Sequence, residues 1–280
     1  MKQASKLWRL APWSARFGFI VIVVYIFLAF FAGIVAPYGE TEIVGSEYLP
    51  SMLEDSNAEY VLGTDNLGRD MLSRLIYGAQ NSVGIAVITT LFAFFLGGFF
   101  GLLGATLGGW VDQILGRVVD VLMAIPALIF ALMILTIVGT SIPALILVIG
   151  VLDSTRVFRL ARAVSMNVVV LDFVEVSKLR GEGLFYVITR EVLPNIMPPL
   201  VAEFGLRFCF VFLTLSALSF LGLGIQPPLA DWGSMVRDNA TLITFGVTIP
   251  LIPAAAIALL TVGVNFVVDW FLHKTSGLKN

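Results

Sequence analysis

Phe17 to Ala36 reads FGFIVIVVYIFLAFFAGIVA, twenty residues without a charge. A helix of about 20 such residues covers the roughly 30 Å hydrocarbon core of a bilayer. The run is longer than the apolar core of a secretory signal, and Pro37 directly follows the only small-residue cleavage position, Ala36. It therefore reads as a retained transmembrane helix. The rest of the composition agrees. Of 280 residues, 58% are apolar and 13% charged, against about 25% charged in soluble domains. That excludes a disordered chain and argues against an ordinary soluble enzyme. One Cys and one His exclude a disulfide framework and a His-rich metal site. A net charge of −2 gives no support to nucleic-acid binding.

Working outward, five further apolar runs follow. They lie at about Val83–Leu107, Val118–Val138, Ile142–Leu152 (short and poorly bounded), Ile196–Leu223 and Leu242–Phe271. Lys and Arg orient them. Lys2, Lys6, Arg9 and Arg16 precede the first run, and Arg117 follows the second. Arg156, Arg159, Arg162, Lys178, Arg180 and Arg190 fill the loop at 154–195, and Lys274 and Lys279 the tail. Only Arg69, Arg74 and Arg237 fall on the other side. Six spans with both termini in the cytoplasm give this segregation. The loop at 37–68 is then external. It holds Glu40, Glu42, Glu47, Glu54, Asp55, Glu59 and Asp65 without a Lys or Arg, and reads either as a solvated loop or as a docking surface.

Catalytic patterns are missing. The chain has no G-x-x-x-x-G-K-[ST] phosphate cradle, no H-E-x-x-H and no G-x-S-x-G. His273 reads as an interfacial anchor and Cys209 as a small packing residue. Gly97-x-x-x-Gly101 and Gly104-x-x-x-Gly108 are faces that let helix backbones approach closely. Pro126, Pro250 and Pro253 remove backbone bonds in or beside spans. Intramembrane charge is costly, and Glu203 and Arg207 stand one helical turn apart in the fifth run, in the favourable order. They read either as a neutralising pair or as a pathway-lining pair. Asp120 and Asp269 fall near the ends of their spans.

The loop at 154–195 is longer than a helix connection needs. Phe173, Val176 and Leu179, then Leu184, Val187 and Ile188, recur near a 3.6-residue period, and Gly181 and Gly183 interrupt them. The pattern predicts two short helices with a glycine break, an angled knob for a soluble partner. Glu175-Val-Ser, then Gly181, then Leu193-Pro194 resembles the EAA loop of ABC-importer permeases. Leu62-Gly-Thr-Asp-Asn-Leu-Gly-Arg-Asp70, Leu72 to Gly78, Ser219 to Gly224, Pro227-Pro228 and Trp232-Gly-Ser-Met235 are similar to stretches of the dipeptide/oligopeptide/nickel subfamily. Val176 and Ser177 stand for the two Ala of E-A-A, and Glu191 for a common His. Leu215 replaces a frequent Glu, and Glu203 and Arg207 depart from the family pattern.

The resemblance covers essentially the whole chain. It implies an all-α polytopic bundle of the type I importer kind. Residues 1–60 would hold the N-terminal arm, first helix and acidic external loop, and residues 61–280 the permease core. The chain would be the C-type partner of a homologous permease, with two cytosolic ATPases beneath and an extracytoplasmic binding protein outside, in the bacterial inner membrane. It would bind no cofactor itself, ATP and Mg resting on the ATPases, and no metal or nucleic acid. Glu175, Gly181, Gly183, Leu193 and Pro194 would couple to the ATPases. Gly63, Asp65, Gly68, Arg69 and Asp70 would shape the external gate or meet the partner permease, although a plain turn fits these residues too. Peptide is the expected cargo, with nickel complexes the alternative within the same architecture. A secondary transporter or channel is the alternative outside it, and would call for repeats or a midplane ion site.

Overall fold

A computed structural model describes residues 11–52, 58–245 and 249–275. Lys2, Lys6, Arg9, Glu54, Asp55 and Lys279 lie outside the described residues. Nine helices carry the fold within them: α1 (Trp13–Val35), α2 (Met71–Leu107), α3 (Gly109–Ala124), α4 (Ala127–Val138), α5 (Ile142–Val169), α6 (Asp172–Leu179), α7 (Leu184–Phe220), α8 (Trp232–Asn239) and α9 (Leu251–Thr275). Two of them contain wide π-type turns, Ala79–Val83 in α2 and Val187–Val192 in α7. Among the described residues, β-structure amounts to isolated bridges in the loop between α1 and α2.

Four helices, α1, α2, α7 and α9, are long and apolar enough to cross a membrane, and the bent pair α3–α4 makes a fifth candidate. The expected third run is broken within this pair. Pro126 pushes Ile125 into extended backbone, and the two halves meet at 86°. The expected fourth run stops too early. α5 is 28 residues long and continues as a helix through Asp153, Arg156, Arg159 and Arg162, where hydropathy alone reads a loop. The second helix of the predicted knob is not short either, since α7 runs from it without interruption to Phe220. α7 ends where Gly222 adopts φ +88°. α9 begins at Leu251, after Pro250, rather than at Leu242, and residues Ala240–Phe245 form a separate 3-10 turn.

Close contacts at glycine set the directions of the helices. The Phe92 ring fills the space beside Gly150, a Cβ at Gly97 would strike the Ser154 carbonyl, and one at Gly101 would meet the Phe158 carbonyl and Ala161. Residue numbers rise together, so α2 and α5 run parallel, and the small-residue face of α2 is what lets them touch. Between α1 and α9 the numbers run oppositely. Phe19 meets Trp270, Val21 meets Gly263, and the Tyr25 hydroxyl donates to Ala256 O at 3.1 Å. α7 and α9 are likewise antiparallel, with Gly205 against Val268 and Cys209 near the Thr261 carbonyl. The start of α1 and the end of α9 therefore share one end of the bundle.

The core joins Val21 and Tyr25 of α1, Ile149 of α5, Phe208 and Phe212 of α7, Trp232 of α8 and Val264 of α9. Overpacking a close helix contact costs about 1–3 kcal/mol. Gly101→Leu is expected to separate α2 from α5, and to lower the temperature at which the detergent-solubilised protein aggregates at a fixed heating rate. Gly98 has open space around it, and Gly98→Leu serves as the unaffected control.

Candidate functional site

At the terminus end, α5 hands the chain to α6 through Val170 and Leu171. α6 is pinned by Val174, fully buried in a cluster with Leu102, Ala161, Val187, Val192 and Ile196, and by the buried Ser177. Around that pin the apolar surface is left open. Val176 is 52% exposed, and Leu179 and Phe185 are each 80% exposed. Large apolar side chains this exposed on one projection point to an interaction surface. Glu175 is exposed in the first turn of α6. α6 ends in a glycine cap: Gly181 takes φ +81°, its N–H donates to Lys178 O at 2.9 Å, and the Glu182 N–H donates to Ser177 O at 3.3 Å. Gly183 has φ −71° and starts α7 in ordinary extended backbone. Leu193 and Pro194 follow directly on the wide turn Val187–Val192.

At the opposite end, Gly63 to Asp70 folds as a closed clasp. Gly63 and Gly68 both have φ above +70° and pack against the Leu49 and Gly45 carbonyls. The Asp65 side chain is 3% exposed. It accepts from the backbone N–H groups of Leu67 and Arg69 at 2.9 and 3.0 Å, and pairs with the Arg69 and Arg74 guanidinium groups at 2.7 and 3.2 Å. Asp70 caps α2, accepting from Ser73 N at 2.8 Å and Ser73 Oγ at 2.6 Å. These side chains face into the chain itself.

The clasp joins a second knot built from the other subfamily stretches. The buried Trp232 indole donates to Leu75 O at 2.9 Å and meets Tyr25 and Phe212 edge-on. Gly78 leaves room for that ring, because a Cβ there would collide with it. Asp231 caps α8 and accepts from Ser82 Oγ at 2.8 Å and Ser234 N at 2.9 Å. Burial pushes its carboxyl above the usual carboxylate range, against those hydrogen bonds. Asn81 donates to Glu40 Oε1 at 2.7 Å and to Ala230 O at 2.9 Å, which ties the acidic loop to α2 and to the segment that leads into α8. Glu40, Asn81 and Ser82 carry no sequence signal beyond polarity. Their roles come from a fold that brings residues 150 positions apart together.

Midway along the bundle, Arg207 Nε lies 2.7 Å from Glu203 Oε1, and its guanidinium stacks 4.6 Å from the Phe210 ring centroid. A third charged group joins the pair. Asp153 of α5 stands 3.6 Å from Arg207 and 3.2 Å from Arg156. Sequence reasoning misses Asp153 because the fourth apolar run closes at Leu152. An acidic residue at that boundary was the available signal. Nearer the terminus end, Asp112 of α3 pairs bidentately with Arg162 of α5, and Asp120 pairs with Arg159 at 2.6 Å.

Four helices long and apolar enough to cross a membrane, with an exposed apolar knob at one end, define an integral membrane protein. The chain belongs to the family of binding-protein-dependent transport system inner membrane components, whose profile matches residues 93–274. It is 34% identical over 254 residues to the di/tripeptide transport system permease protein DppC of Pseudomonas aeruginosa, covering 90% of this chain and 84% of that one. It is 34% identical over 258 residues to the dipeptide transport system permease protein DppC of Escherichia coli K12, covering 91% and 86%. Against the glutathione transport system permease protein GsiD of Pectobacterium atrosepticum it is 28% identical over 250 residues, covering 89% and 82%. The chain is thus a multi-pass transport subunit of the bacterial inner membrane, not an enzyme. Membership implies partnership with a binding protein and an ATPase.

Proposed function

We propose that this chain is a permease subunit of an ATP-driven importer that carries di- and oligopeptides inward. The observation that carries the reading is the likeness, over nine-tenths of the chain, to permeases named for dipeptides and di/tripeptides. The chain forms half of the pathway with a homologous permease. It crosses the membrane six times, with α3–α4 and α5 as the third and fourth spans and both termini in the cytoplasm. The arginines and lysines around α6 support that orientation. Two cytosolic ATPases hold ATP and Mg, and an extracytoplasmic binding protein delivers cargo.

α6 is the part that the ATPases grip. Glu175 meets a basic group or a helix N-terminus, and Val176, Leu179 and Phe185 fill an apolar cleft. Closure of the ATPases moves α6, and with it α5 and α7, as rigid bodies between two states. Gly183, Leu193 and Pro194 shape the joint at the start of α7. The Gly63–Asp70 clasp, with Gly68, Arg69 and Asp70, braces the external gate from inside the chain.

Purification of the tagged chain in mild detergent, with mass spectrometry of its stoichiometric partners, tests the assembly. Recovery of one related permease and one or two ATPases is expected. Recovery of this chain alone, or as a homo-oligomer, would favour a channel or secondary carrier. Uptake of labelled dipeptide by the reconstituted complex then tests the cargo.

A further inference from the structure

Four charged side chains form an alternating line across the contact of α5 with α7, in the order Arg156, Asp153, Arg207, Glu203. Its charges sum to zero. The inner two members are buried, with side chains 6% and 11% exposed, while the outer two are more open, at 44% for Arg156 and 18% for Glu203. The two ends of the line therefore have opposite sign.

With α5 and α7 as spans, as proposed above, this line falls near the middle of the membrane. Asp153 is eleven residues, about 16 Å, from the start of α5. Arg207 is thirteen residues, about 20 Å, from the end of α7. The apolar core is about 30 Å thick, and charge at that depth marks function by default. A line built for stability alone would satisfy its inner atoms. Here Asp153 Oδ2 has no hydrogen-bond partner, and Arg207 Nε lies close to Glu203 without an aligned hydrogen bond. A cavity of about 20 Å³ borders Asp153, Arg156 and Thr214, room for one water and not for a peptide, which leaves the open sides of Arg156 and Glu203 as the surfaces available to a larger ligand.

We infer that this line is a station for a zwitterion in the pathway: Arg156 takes the carboxylate of a free peptide, and Glu203 takes its ammonium. Asp153 and Arg207 are positioning residues that hold the two ends in place. The inference rests on the peptide reading above. A short free peptide carries one charge of each sign, separated in an extended dipeptide by about 7 Å. Each charge is costly to strip of water. A neutral line with opposite ends compensates both, and leaves no net charge in the membrane when the cargo departs.

The test uses the complete importer, reconstituted in proteoliposomes with its binding protein. Uptake is measured for a free dipeptide, its C-terminal amide and its N-acetyl form, each relative to the wild-type complex. Losing one charge-assisted hydrogen bond corresponds to about tenfold. Arg156→Gln is expected to lower uptake of the free dipeptide about tenfold and to leave the amide at its wild-type rate. Glu203→Gln is expected to do the same for the free dipeptide and to spare the N-acetyl form. Arg156→Lys retains uptake of all three. Equal loss of all three peptides in the Gln variants, no loss at all, or failure of both to assemble would overturn the inference. A wild-type complex that takes up none of the three overturns the peptide reading itself, a separate and recognisable result.

Discussion

Gly181→Pro is expected to abolish ATP-driven uptake while the protein still inserts and folds. Gly181 adopts φ +81°, and proline is locked near −65°. The substitution also deletes the N–H that donates to Lys178 O at 2.9 Å. The cap of α6 cannot form, so α6 loses its angle to α7. The site lies on an exposed projection, outside the packed core, so the membrane-embedded helices are undisturbed. Gly181→Ala separates backbone conformation from bulk. No atom lies within 4 Å of a Cβ placed there, so alanine pays only the left-handed strain of about 1–2 kcal/mol. Measured uptake in proteoliposomes should fall more than a hundredfold for proline and less than about tenfold for alanine, an expectation scaled from those strains. Full uptake in the proline variant would remove α6 from the coupling path.

The second large effect is on stability. Asp65→Ala strips the shared partner from Arg69 and Arg74, whose side chains are 8% and 4% exposed. Removing one member of a buried ion pair costs about 3–5 kcal/mol, because the remaining charge stays buried and uncompensated. The loop also loses the two backbone N–H bonds that Asp65 accepts. In a scan of the detergent-solubilised protein, the unfolding temperature should drop on the order of 10 °C. Asp65→Asn keeps the shape and some of the hydrogen bonds, and should fall between. Glu47, exposed in the same acidic loop, is the control, and Glu47→Ala should stay within about 0.5 kcal/mol of wild type. An unchanged unfolding temperature in Asp65→Ala would show that the clasp is not closed in solution.

Much of this architecture is legible in the chain because membrane helices obey a simple solvent rule. Phe17–Ala36 is apolar throughout, and α1 follows it within a few residues. Hydropathy fails where a helix leaves the lipid without ending. α5 keeps its backbone bonds through Arg159 and Arg162, whose partners are acids on α3, so charge there signals a helix–helix contact rather than a loop. Gly97 and Gly101 are informative for a local reason, since a missing Cβ predicts close approach, but nothing in the spacing says that the neighbour is α5. The left-handed turns at Gly63, Gly68 and Gly181 are readable from residue type. The Glu203–Arg207 pair is readable from its i, i+4 spacing. Asp153, its third member, is not, because it comes from another helix.

The wide turn at Ala79–Val83 has a consequence for the rest of α2. A π-type turn inserts one residue beyond regular α-helix, and each residue of an α-helix turns the chain by about 100°. Everything downstream is therefore out of angular phase with everything upstream. That offset lets one continuous helix present Asn81 and Ser82 to the knot around Trp232 and, further along, Gly97 and Gly101 to α5. Shortening this segment by a single residue would restore a regular helix and rotate the glycine stripe about a quarter-turn away from its neighbour. The residue count between Gly78 and Gly97 is thus fixed by geometry, independently of which side chains occupy it.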